Sequence, residues 1–189
     1  MIRAGPILLS LALLSTGSPA WAQAPPAAHV STHRPWVGAG FGWGNVTSTR
    51  SEGPDVLLSA TLEVPLAPAA GVRVSAERIW GSARDVGGAS LRQLSADLMW
   101  RRPFGSAFGC ARQIVVGMGA GLYQFTVSTG SLDDSTRLGY QVAAGVDCVG
   151  GRMGIGGAFG LRFVDAPEHP AFSTSVIAPS ASLTIRIRL

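Results

Sequence analysis

The sequence predicts an all-β fold: an eight-stranded, antiparallel, up-and-down transmembrane β-barrel behind a cleaved signal peptide. Three observations lead there. Segments of about ten residues alternate apolar and polar side chains, which is the period-two signature of strands with one greasy and one polar face. The final segment, Ser182-Leu183-Thr184-Ile185-Arg186-Ile187-Arg188-Leu189, alternates up to the C-terminus and so needs a distant partner for its open edge. Pairing with the first strand would supply one. Lastly, Trp43, Trp80 and Trp100 sit near strand ends on the apolar face, while the opposite face carries glycines and charges. Aromatic girdles on an outward apolar face are the pattern of a barrel in lipid; a water-soluble barrel would turn its large aromatics inward.

The chain opens Met1-Ile2-Arg3, runs through an apolar stretch from Pro6 to Leu14, and reaches Ala20-Trp21-Ala22. One positive charge, a short apolar core and small-x-small before a cut after Ala22 define a secretory signal over residues 1–22. The apolar run falls short of the roughly 20 residues a membrane helix needs. Residues 23–34 are rich in Pro and Ala and read as a flexible lead-in, leaving 35–189 for the barrel.

The expected strands follow in order. The first is Trp36 to Thr47, with Val37, Ala39, Phe41 and Trp43 facing one way and four glycines the other. The second is Val56 to Leu66, where Ser59, Thr61 and Glu63 form the polar face. A tight turn leads to the third, Val72 to Trp80, with Arg73, Ser75 and Glu77 on that face. The fourth is Leu91 to Arg101, carrying Gln93, Ser95, Asp97 and Arg101; a longer connection, Arg102 to Gly109, is expected after it. The fifth is Cys110 to Val127, in which Gly117, Gly119, Gly121 and Tyr123 share the polar side. The sixth is Thr136 to Cys148, the seventh Met153 to Val164 and the eighth about Val176 to Leu189. Connections after even strands are mostly short, and those after odd strands are longer and more polar. That asymmetry puts short turns in the periplasm and loops outside the cell.

Composition narrows the function. All 15 basic residues are Arg, and without Arg3 the remaining 14 face 11 carboxylates, a slight positive balance spread along the chain. This offers no nucleic-acid footprint. His29, His33 and His169 are scattered, without metal-ligand spacing, so neither a metal nor a cofactor is expected.

The mature chain resembles the small eight-stranded outer-membrane barrels of the OmpA/OmpX type. The residues that carry the resemblance are Val37-Gly38-Ala39-Gly40-Phe41-Gly42-Trp43-Gly44, Gly117-Met118-Gly119-Ala120-Gly121-Leu122-Tyr123 and the terminal Leu183 to Leu189. The resemblance implies an integral protein of the bacterial outer membrane, in contact with its lipids and lipopolysaccharide. It also implies recognition of the C-terminal strand by the barrel assembly machinery. Family members commonly end in an aromatic residue, whereas this chain ends in Leu189.

Several constellations could carry function. If strands five and six form a hairpin centred near Thr129, Ile114 faces Ala144, Val116 faces Val142, and Cys110 falls opposite Cys148. An exported chain then gains a periplasmic-end disulfide. Arg78 and Arg92 interrupt the apolar face beside Trp80 and oppose one another if strands three and four centre on Asp85; a lipopolysaccharide phosphate between them would relieve their repulsion. Glu63, Arg73, Glu77, Asp97, Arg101, Asp147, Arg162, Arg186 and Arg188 fall on the polar face and form the expected lumen charge network. An eight-stranded lumen is only wide enough for its own side chains, so these charges should make a plug. Some barrels of this kind modify lipid A. The nearest catalytic candidates, Glu168, His169, Ser173 and Ser175, share one loop and lack the His and Ser two apart of a deacylase strand motif. The expected role is structural or surface-interactional; a lipid A-modifying enzyme and a narrow channel are the alternatives.

Overall fold

In the computed structural model, the described residues are 34–45, 55–83, 87–128, 136–165 and 177–189. They form eight strands: β1 Trp36–Gly44, β2 Asp55–Ala67, β3 Ala70–Ala83, β4 Gly87–Ala107, β5 Cys110–Val127, β6 Thr136–Gly150, β7 Met153–Phe163 and β8 Ile177–Arg188. Each pairs antiparallel with its sequence neighbour, and β8 returns to β1 to close the barrel. The signal segment, nearly all of the lead-in and the Glu168 to Ser175 candidates lie outside the described residues.

Closure answers the edge problem posed by the last strand. Trp36 pairs with Arg188 and Gly44 with Ser180, and backbone bonds Leu189 N–H to Pro35 O (3.0 Å) and Asn45 N–H to Pro179 O (3.0 Å) seal the two ends of the seam. The stagger follows from the register. Stepping from Trp36 through its paired residues Glu63, Arg73, Asp97, Gly119, Gln141, Arg162 and Ala178 arrives two positions beyond Ser180, the partner of Gly44. That is ten residues along β1 from the start, a shear that tilts eight strands by roughly 40°.

The faces are as the alternation requires. Phe41, Leu58, Leu94, Leu98, Met118, Leu138, Tyr140, Ile155 and Ile185 all point outward and are about half exposed or more. Trp43 and Trp100 do the same near opposite ends. Glu63, Asp97, Asp147, Arg162 and Arg186 point inward and are buried. Inward glycines make room in the narrow lumen: a Cβ on Gly119 would collide with the Ala96 carbonyl and the Asp97 carboxylate.

Three expectations are corrected. The fourth strand does not end at Arg101; β4 runs to Ala107, and the turn to β5 is only Phe108-Gly109. Pro103 reads as a breaker, but it lies where β4 has lost its β3 neighbour, and a bulge between Pro103 and Gly105 absorbs it. β3 and β4 likewise extend further at the loop end, so only residues 84–86 separate them. Finally, the β5–β6 register is shifted by two residues: Ile114 faces Val146, Val116 faces Ala144, and Cys148 faces Arg112. A two-residue slip keeps every side chain on its own face, so alternation alone cannot detect it. The disulfide still forms, joining Cys110 to Cys148 as diagonal neighbours with Cα atoms 5.4 Å apart.

Candidate functional site

The lumen holds most of the buried polar chemistry, arranged in layers. At the periplasmic end the carboxylate of Glu63, 2% exposed, is shared by three guanidinium groups. Arg73, its cross-strand neighbour on β3, approaches at 3.1 Å; Arg186 arrives from β8, also at 3.1 Å; Arg101 on β4 completes the set. Arg186 reaches on to Asp147 of β6, so one side chain ties two carboxylates across the barrel. This convergence follows from the tilt, which carries residues distant in sequence to one height.

The middle layer is mostly neutral. Asp97 accepts a 2.6 Å hydrogen bond from the Gln141 side-chain amide and a longer one, 3.4 Å, from Ser75. Gln141 also donates to Ser95 (2.9 Å) and is bonded to Gln93. Gln93 accepts from Arg162 Nε at 2.6 Å, and Arg162 pairs with Glu77. In these two layers Arg73, Arg101, Arg162 and Arg186 thus balance Glu63, Glu77, Asp97 and Asp147, as enclosed charges must. A cavity of 70 Å³ remains beside this layer, lined by Ser59, Thr61, Ser182, Thr184 and Arg162 among others, with room for a few water molecules.

The loop end differs from expectation. Leu57, Ile79, Ala89, Leu91, Phe125 and Val164 pack around Tyr123, which is fully buried. Below this apolar plug the lumen is polar, and at the loop end one more inward carboxylate, Asp55, is buried beside Gly81. Sequence reading placed Tyr123 on the inner face but missed its apolar neighbours. The signal was legible in Leu57, Ile79 and Leu91, which share strand parity with Ser59, Glu77 and Gln93.

Eight of the nine expected network residues join the layers described. Arg188 does not pair with a carboxylate among the described residues; it stacks 4.4 Å from the Trp36 ring centroid at the periplasmic mouth. Its register partner is Trp36 itself, so the nearest inward group is an aromatic face, not an acid. Arg78 and Arg92 are directly opposed on the outer face, as expected, and Arg78 lies 4.8 Å from the Trp80 ring. The described residues contain no cluster of three or more potential metal ligands.

An apolar outer belt, aromatic ends and an ion-paired lumen within a closed eight-stranded sheet define an integral outer-membrane barrel of the small class. No family model matches the chain, and no curated protein sequence matches it. Among solved structures, Neisserial surface protein A is similar at a TM-score of 0.67 and 14% identity, over 82% of this chain and 97% of that one. Ail, the attachment invasion locus protein of Yersinia pestis, is similar at a TM-score of 0.51 and 12% identity, over 83% and 99%. Identities this low speak for the fold alone.

Proposed function

We propose that this protein is a sealed outer-membrane barrel with a structural or surface-interaction role. The observation that carries this reading is closure of the lumen at two heights: the Tyr123 plug at the loop end and the Glu63–Arg186 ion-pair layer at the other. A solute would have to displace both. Planar-bilayer recordings of the purified protein should show no stepwise conductance; regular steps at moderate voltage would sink this reading in favour of the narrow channel. Lipid A mass spectra should be the same with and without the protein, and acyl-chain loss or gain would make it an enzyme.

The proposed lipid partner is lipopolysaccharide, at Arg78 and Arg92. Two opposed guanidinium groups repel unless an anion lies between them, and Arg grips phosphate in a fork. Arg78 Nε is buried and without a hydrogen-bond partner among the described residues. Replacing both (Arg78→Ala with Arg92→Ala) should lower co-purified lipopolysaccharide by about tenfold or more, the effect of roughly one charge-assisted contact or more. Unchanged co-purification would remove this site. We further propose that the assembly machinery recognises β8, the strand that closes the sheet against β1.

A further inference from the structure

β4 outruns its neighbour at the periplasmic end. Ala70, the first residue of β3, pairs with Trp100, yet β4 continues to Ala107. From Arg102 onward its ladder is with β5 alone. At a tilt of roughly 40° each residue descends about 2.4 Å, so the tip at Phe108 sits roughly 15–20 Å below Trp100. The Cys110–Cys148 bridge ties this projecting hairpin to β6.

The outward face of the hairpin, just below the Trp100 girdle, is specifically shaped. Arg102 pairs with the outward Ile114, and Arg112 is the next outward residue on β5. Between Pro103 and Gly105 the ladder carries an extra residue, Phe104, which shares the outward parity of Trp100 and Arg102 and is 47% exposed. Arg112 lies over it, 5.3 Å from the ring centroid. Gly105 holds a left-handed backbone (φ 146°) at the bulge, a conformation that favours glycine. At the turn, Phe108 is fully exposed on a left-handed backbone (φ 52°), where Asn would be the easy residue. Every carboxylate on β4, β5 and β6, Asp97 and Asp147, faces the lumen, so among the described residues Arg102 and Arg112 meet no acid on their own face.

We propose that Arg102 and Arg112, braced by Phe104, bind the phosphate of an anionic phospholipid headgroup in the periplasmic leaflet. The height is that of headgroups, directly beneath an interfacial tryptophan. The chemistry is a pair of un-neutralised forks, one pre-oriented by an aromatic face. This site lies on the opposite rim from Arg78 and Arg92 and does not depend on them.

The test uses the full mature protein folded in maltoside detergent, with native mass spectrometry of retained phosphatidylglycerol against phosphatidylcholine of the same chains. The wild type should retain phosphatidylglycerol about tenfold over phosphatidylcholine, the effect of roughly one charge-assisted contact. Arg102→Gln with Arg112→Gln should bring that preference to within about twofold, and Phe104→Leu should lie between. Preference unchanged in the paired variant, or lost only when Arg78 and Arg92 are replaced, would overturn the proposal. So would displacement of the lipid by inorganic phosphate or by hexaglutamate at equal charge, which would assign the patch to a free anion or an acidic chain. Folding of each variant is checked by the boiled-against-unboiled gel shift. If the paired variant fails that check, Arg112→Gln alone should still lose about threefold.

Discussion

Glu63→Gln should destabilise the folded barrel by about 3–5 kcal/mol, the cost of removing one partner from a buried ionic cluster. Three arginines converge on this carboxylate, and two of them, Arg73 and Arg101, have no other ion pair among the described residues. Without the charge, Arg73, Arg101 and Arg186 repel one another inside a lumen where Glu63 is 2% exposed. Only Arg186 keeps a carboxylate, that of Asp147. Glu77→Gln is the contrasting case. Among the described residues Glu77 has one arginine partner; it is 16% exposed and borders the polar cavity, so water can replace part of what is lost. Its cost should be about 1 kcal/mol. Urea unfolding of vesicle-inserted protein measures both. Adding Arg73→Met to Glu63→Gln should restore part of the loss by removing one repelling charge. Equal effects of the two glutamine variants would show that the shared carboxylate is not the keystone of the lumen.

Loss of the Cys110–Cys148 bridge is the second large effect. The cysteines are 38 residues apart, and closing a loop of that length in the unfolded chain corresponds to about 4 kcal/mol in the chain-entropy account. The bridge joins the periplasmic ends of β5 and β6, whose backbone ladder runs separately from Ala111–Val149 to Gln124–Thr136. Cys110→Ser with Cys148→Ser, or reduction of the wild type, should therefore lower the urea midpoint by a matching amount while leaving the barrel closed, as the gel shift would report. The two treatments should agree. A midpoint that does not move on reduction would mean that β5–β6 pairing in the unfolded ensemble already supplies the constraint.

The two predictions divide along the line between what sequence and structure each decide. Period-two alternation determined the eight strands, their faces and the closing role of β8, because a side chain's face depends only on its parity along the chain. The same parity placed Glu63, Arg73, Asp97, Arg101, Asp147, Arg162 and Arg186 in the lumen and Arg78 and Arg92 on the outside, while centring the β3–β4 hairpin on Asp85 set those two arginines opposite one another. It could not set the β5–β6 register, because slips of two residues conserve parity, nor see that β4 passes Pro103, because a bulge on a single-sided edge tolerates it. Which charges meet was likewise a tertiary decision. Glu63 is 123 positions from Arg186, and only the ten-residue stagger of a closed sheet brings them to one height. The apolar plug around Tyr123 has the same origin: inward residues of separate strands acquire one another as neighbours only when the barrel closes to a lumen narrow enough for them to touch.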